Sequence, residues 1–186
     1  TAVQVCSSED QLALISLLGG TPGTTGTWAF DGGPHSPFFD PAVDIGGGYV
    51  YTIVGLAPCV NASAQVQISM VPAPNAGIDG TIAACVGDAN IQLPEGLGGN
   101  PSAGGTWADD DATGQLNGDD LDASNMAPGT YHFTYTVAGV GPCADTSATV
   151  TVVIVDDLDA GQDGIASICE NELVDLFTVL GGTPQA

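Results

Sequence analysis

The sequence predicts an all-β chain built from tandem sandwich modules, and three observations lead there. The first is internal repetition, which has to be settled before any fold assignment. Cys6, Leu18-Gly19-Gly20 and Gly26-Thr27-Trp28 return as Cys85, Leu97-Gly98-Gly99 and Gly105-Thr106-Trp107, with the tryptophan at the same distance from its cysteine in both copies. A third copy opens at Cys169 and reaches Leu180-Gly181-Gly182. The second observation is a succession of short alternating segments punctuated by turns, with 27 Gly and 12 Pro in 186 residues and no helical stretch of convincing length. The third is composition: the chain is 44% hydrophobic despite a net charge of −22, whereas disordered acidic chains lack the apolar residues needed for a core.

The repeat divides the chain into module 1 at residues 1–75, its first strand incomplete, module 2 at 76–159, and the opening strands of a third module at 160–186. In module 1, residues 1–6 alternate as a strand does. The apolar run 11–18 has some helical propensity, but its counterparts at 91–93 and 174–180 are shorter or lie near proline, which favours a strand or an irregular segment. Each run leads into a glycine-rich turn, with Pro22, Pro101 and Pro184 in matching places. A short strand follows at 26–30, then a Gly-, Pro- and Asp-rich loop at 31–45 with room for one irregular edge strand. Residues 48–54 are the clearest strand of this module, and Ala64, Val66, Ile68 and Met70 alternate along its last one, 62–71.

Module 2 repeats the pattern more legibly. Strands are expected at 81–85, around Trp107, at 131–137 and at 147–155. The acidic stretch 109–122 lies between the second and third, and each linker ends in the same phrase, Ala76-Gly77-Ile78-Asp79-Gly80 and Ala160-Gly161-Gln162-Asp163-Gly164. Such strands form a β-sandwich of immunoglobulin-like type, with Trp28 and Trp107 as core residues. Exposed tryptophans would instead suit stacking on sugars, but their equal placement favours the core.

Five cysteines without metal-type spacing read as structural bridges. Cys6 is paired with Cys59 and Cys85 with Cys143, because each pair lies within one copy of the repeat; Cys169 lacks its partner in this segment. Buried free thiols are the competing reading. The second cysteine follows a turn instead of lying mid-strand, so the bridge belongs near one end of the sandwich. Bridges of this kind place the chain outside a reducing cytosol.

The chain has no Lys and no Arg, so carboxylate repulsion must be relieved by solvent, salt or metal. Nucleic acid is excluded as a partner on charge, and no apolar run of about 20 residues inserts in a bilayer. Calcium is the one cofactor the sequence argues for, since it takes six to eight oxygens at low strain. The candidate ligands are Asp109, Asp110 and Asp111, with Asp119, Asp120 and Asp122 near them, and Asp156, Asp157, Asp159 and Asp163 at the second junction. No EF-hand spacing is present, and a solvated acidic loop is the preferred reading of these groups. His35 and His132 have no repeat counterparts; His132 alternates with Tyr131 and Phe133 and should face solvent. Asn61-Ala62-Ser63 matches an N-glycosylation sequon. No nucleophile, base and oxyanion donor can be assembled, so the chain reads as a non-enzyme.

The phrases Pro128-Gly129-Thr130-Tyr131, Cys143-Ala144-Asp145-Thr146 and the strand 148–155 resemble the ends of PKD-type and Ig-like repeats in secreted surface proteins of Bacteroidota. The Ala-Gly-x-Asp-Gly, Leu-Gly-Gly and Gly-Thr-Trp phrases resemble tandem adhesin repeats of the same group, exported by the type IX system and associated with gliding or attachment. Module 1 departs from the pattern, with Asp44-Ile45-Gly46-Gly47-Gly48 in place of the Pro-Gly-Thr phrase. The resemblance implies an extracellular, cell-surface role and supplies no site.

The reading is therefore a structural stalk or filament segment of a secreted adhesin, partnered by neighbouring modules of the same chain or filament. A carbohydrate- or partner-binding module, directed at surface glycans, is the alternative. A subunit polymerising by β-strand complementation through residues 165–186 is a further one.

Overall fold

The computed structural model describes residues 2–158 and 160–182. Its first sandwich contains β1 (Ala2–Cys6), β2 (Leu12–Ala13), β3 (Thr27–Phe30), β4 (Gly33–His35), β5 (Phe38–Phe39), β6 (Gly47–Ile53) and β7 (Ala62–Val71). The main sheet runs β1-β7-β6-β3-β4 and a two-stranded sheet pairs β2 with β5. Alternation does the sorting: Tyr49 and Tyr51 of β6 and Val66 and Ile68 of β7 turn inward, and meet Leu14 and Phe39 from the small-sheet side.

The second sandwich contains β8 (Gly80–Cys85), β9 (Ile91–Gln92), β10 (Thr106–Asp109), β11 (Leu116–Asn117), β12 (Asp120–Leu121), β13 (Gly129–Val137) and β14 (Thr146–Val155). Its sheets are β10-β13-β14-β8 and β11-β12-β9, closing on Leu93, Leu121, Phe133, Val150, Val152 and Ile154. The fold is thus all-β, two immunoglobulin-like sandwiches in tandem. In each, the opening strand lies parallel to the closing one, β1 on β7 and β8 on β14, while the other pairs of the main sheet are antiparallel.

The apolar run after each first strand resolves as a two-residue strand followed by a 3-10 turn, Leu14–Leu17 and Leu93–Gly96. Pro94, at the start of the second turn, tolerates that position because a helix's first N–H needs no partner. Four residues of 3-10 structure are the usual limit of such pieces.

The third module shows the local conformation of its relatives without their sheet. Residues 160–182 hold a 3-10 turn at Leu176–Val179 and a bridge between Gln162 and Gly181, the counterpart of that between Ile78 and Gly98. The opening strands expected here do not form among the described residues. In the complete modules the opening strand pairs with no strand but the module's closing one, and residues 160–182 include no counterpart of it. Residues 183–186, also assigned to these strands, lie outside the described residues.

The sulfur pairing differs from the within-module expectation. Cys6 is joined to Cys143, Cα to Cα 5.0 Å, and Cys59 and Cys85 stand exposed and unbridged, as does Cys169. The cause is the direction of β1. Running parallel to β7, it places Cys6 beside Val71 at the strand's far end, while Cys59 precedes the start of β7. Ten residues of strand at about 3.3 Å each separate those positions by roughly 30 Å, far beyond the reach of about 7 Å that a disulfide tolerates. Cys85, beside Val155, is separated from Cys143 in the same way by β14. The bridge does lie at a sandwich end, but it joins two sandwiches.

Candidate functional site

The feature with most chemistry is the junction between the sandwiches. Cys6 and Cys143 are 2% and 7% exposed, so the junction covers both sulfurs. Cys143 Sγ rests 3.5 Å from the carbonyl oxygens of Val71 and Pro72; bridged sulfur has no hydrogen to donate, so these are packing contacts. Ser7 continues the seam, its N–H donating to Val71 O at 2.9 Å and its Oγ accepting from the Ala73 N–H at 2.9 Å.

From Ala73 the linker is clipped along module 2. Asn75 Nδ2 donates to Asn100 O at 2.8 Å, Ser102 N–H donates to Asn75 O at 2.7 Å, and Ile78 and Gly98 exchange backbone bonds at 2.9 and 2.8 Å. Ala76 is buried with Tyr135, Val137 and Ala148 in a small core of its own. Gly77 has φ of 92°, and a Cβ there would sit 2.7 Å from Gly98 O, so glycine is required on both counts. Asp79 Oδ1 accepts from the Thr149 N–H at 2.8 Å. The recurring Ala-Gly-x-Asp-Gly phrase is therefore a clip that fixes the linker to the sandwich it precedes, a role the sequence reading did not assign. Its signal was the repetition itself at the one place where a flexible linker would need none.

The tryptophans sit in a second repeated device. Tyr51 OH accepts from the Gly26 N–H at 2.8 Å and donates to Gly23 O at 2.6 Å; Tyr135 OH does the same with Gly105 and Ser102 at 2.9 and 2.7 Å. Each ring lies 5.0 Å from its tryptophan, Trp28 or Trp107, at the same tilt of 39°. Gly26 and Gly105 are glycines because a Cβ would fall 2.5 Å from the tyrosine ring.

The copies differ in what covers the tryptophan. Trp28 is buried because β4 pairs alongside β3, opposing it with His35. The hairpin is made by Asp31-Gly32, both at positive φ, a strong two-residue hairpin signal at the start of the 31–45 segment, which thus holds two short strands, β4 and β5, where a loop with one irregular edge strand is expected. In module 2 the corresponding strand β11 pairs with β12 in the opposite sheet, leaving β10 as an edge. Trp107 is consequently only partly buried, and it lines a surface groove of about 800 Å³ with Leu97, Pro101, Leu116 and Tyr135.

Of the aspartates named as calcium ligands, Asp109, Asp110 and Asp111 are each engaged by a different partner. Asp109 Oδ2 accepts from Thr113 Oγ1 at 2.9 Å and the Gly114 N–H at 2.8 Å. Burial raises its pKa, but the hydrogen bonds from Thr113 and Gly114 outweigh that and leave it below the ordinary value. Asp110 accepts from Thr134 Oγ1 at 2.7 Å. Asp111 accepts from the His132 N–H at 2.6 Å and lies 3.1 Å from His132 Nδ1, the imidazole being exposed as expected. Asp122 is lowered by hydrogen bonds from Ser124. Asp156, Asp157 and Asp163 are exposed, and Asp159 lies outside the described residues. Among the described residues, no three His, Cys, Asp or Glu side chains gather to hold a metal ion. His35 is the second imidazole held by a carboxylate, Nε2 to Asp44 Oδ1 at 3.1 Å. It stands edge-on to Tyr49, whose pKa is pushed up to about 12, by burial first and then by the Asp44 charge.

No family model matches the chain, and no curated protein matches it. Among solved structures it overlaps the I-band fragment I67-I69 from titin at 13% identity and TM-score 0.34, over 71% of this chain and 55% of that one. Drosophila OTK extracellular domains 3-5 overlap at 17% and 0.39, over 83% and 59%, and Sidekick-1 immunoglobulin domains 1-4 at 12% and 0.36, over 82% and 46%. The chain spans about half the length of these solved fragments. At such overlap the fold assignment rests on the sheets of this chain. No helix among the described residues is long and apolar enough to cross a membrane.

Proposed function

We propose that this chain is a non-catalytic, distance-spanning segment of a secreted cell-surface adhesin, a stalk or filament whose modules are locked to one another. The observation that carries this reading is the Cys6–Cys143 bridge. A bridge inside a sandwich stabilises that sandwich; one between sandwiches holds their relative position, which matters to a protein that must hold a length. The clipped linker supports the same role, and an exposed acidic surface keeps like rods apart. A disulfide fits an oxidising compartment. The Bacteroidota origin and type IX export implied by the repeat phrases belong to this proposal.

Small-angle scattering tests it. Two ten-residue closing strands laid end to end at about 3.3 Å per residue span roughly 70 Å. The oxidised chain should show a maximum dimension near that figure, and Cys143→Ser a broader distribution of lengths. A compact, folded-back particle in the oxidised state would refute the stalk.

A second reading attaches to module 2 alone. The half-covered Trp107 along its groove offers a stacking face to a sugar ring. Glycan-array binding lost in Trp107→Phe would establish it, and an array with no hits would remove it.

A further inference from the structure

The bridge at the one complete junction joins the first cysteine of a module to the second cysteine of the module after it. The repeat puts Cys85 where Cys6 is, and Cys59 where Cys143 is. We infer that Cys85 and Cys59 are the junction cysteines of the next links in a staggered disulfide chain. Cys85 receives the second cysteine of a following like module, and Cys59 the first cysteine of a preceding one. This inference rests on the stalk reading and specifies how its links are joined.

The local geometry of each free position matches that of its bridged counterpart. After the first cysteine, Glu9 N–H donates to Cys6 O at 3.1 Å and Asp88 N–H to Cys85 O at 3.2 Å; Ser7 N–H donates to Val71 O and Val86 N–H to Val155 O, both at 2.9 Å. Before the second cysteine, Cys143 N–H donates to Val140 O at 3.0 Å and Cys59 N–H to Leu56 O at 2.8 Å. The loop is then closed by Gly139 N–H on Asp145 Oδ1 at 2.8 Å in one copy and Gly55 N–H on Asn61 Oδ1 at 3.0 Å in the other. The covering differs. Cys6 and Cys143 are buried, while Cys85 and Cys59 are exposed.

The surroundings of the free positions also suit a covered end. Val54, Leu56 and Val60, around Cys59, are 72%, 86% and 87% exposed, three apolar side chains close together in sequence at that end of the sandwich. At the other end Val155, opposite Cys85, is 48% exposed, whereas its counterpart Val71 is half-buried in the junction. A like module supplies both the missing sulfur and the apolar cover, and brings no cation that the site would have to match. Cys59 and Cys85 cannot serve each other within one chain, because they lie at opposite ends of the two-module rod. Each closure forms one S–S bond from two thiols, releasing two protons and passing two electrons to a disulfide oxidant such as glutathione disulfide, which is reduced to two thiols.

The test is a lengthened form of the full chain, in which a second copy of residues 76–159, carrying Thr81→Ser and Ala144→Ser at two exposed positions so that its cysteine peptides differ in mass from the parent's, is inserted in frame directly after Asp159. It is refolded in a reduced and oxidised glutathione buffer. Non-reducing peptide mapping with a protease cutting at acidic residues, required because the chain has no Lys or Arg, should recover Cys6 with Cys143 and Cys85 with Cys143 of the inserted copy. The titratable thiols should stay at the parent's three, although the insertion adds two cysteines. Cys85→Ser in the lengthened chain should then release one further thiol, at Cys143 of the inserted copy. Recovery of Cys85 as a free thiol, or an inserted Cys143 bridged inside its own module, overturns the inference. Loss of the Cys6–Cys143 peptide from the parent chain would instead overturn the stalk reading beneath it.

Discussion

Removing the Cys6–Cys143 bridge should destabilise the two modules unequally, and the asymmetry follows from where the bridge sits. The 137-residue separation corresponds, on the chain-entropy account, to about 5 kcal/mol if both sandwiches unfold. They need not unfold together. While either sandwich remains folded it shortens the loop, because Cys6 is held beside Val71 at the junction. The first module to melt then opens a loop of roughly 70 residues, worth about 4 kcal/mol, and the second adds only about 0.6 kcal/mol. At about 4–8 °C per kcal/mol for domains of this size, the lower transition should fall by more than about 10 °C and the upper by less than about 5 °C. Differential scanning calorimetry of the oxidised chain, the phosphine-reduced chain and Cys6→Ser/Cys143→Ser would measure this. The two bridge-free samples should agree. Equal shifts in both transitions, or no shift in either, would refute the cross-junction topology.

Three further outcomes are expected. Tyr135→Phe removes the hydroxyl that serves both the Gly105 N–H and Ser102 O and should lower module 2 stability by about 1–3 kcal/mol by denaturant titration, with Tyr51→Phe doing the same in module 1. Tyr49 holds its proton more tightly folded than unfolded, so its contribution is complete below the unfolded pKa of about 10 and is lost as pH rises toward its folded value of about 12. Tyrosinate absorbance should show a late-titrating group that is absent in Tyr49→Phe. Chelation should leave the melting midpoint unchanged, because the carboxylates of Asp109, Asp110 and Asp111 are each engaged locally; a large drop would show that calcium gathers groups that stand apart in this structure.

Much of the fold was legible because it is written in period-two alternation. The strands at 62–71 and 147–155 carry their core residues at every second position, and burial of Val66, Ile68, Val150 and Val152 is the direct consequence. The acidic stretch was less legible, since β11 and β12 are two residues each and too short for any period to register. The Asp31-Gly32 hairpin was not separated from the 31–45 loop, and its effect on Trp28, with the lack of that effect at Trp107, depends on which sheet the next strand joins.

The amino-acid sequence by itself determined that this is a repeated, apolar-cored β protein, that its cysteines occupy two recurring positions, and that its surface carries one sign of charge. Local pattern and composition suffice for that, since each is a property of neighbouring residues. Which sulfurs meet was decided only in three dimensions. A strand's alternation is the same read in either direction, so nothing in residues 2–6 announces that β1 runs with β7 and not against it. That single orientation carries Cys6 away from Cys59 and delivers it to the next sandwich.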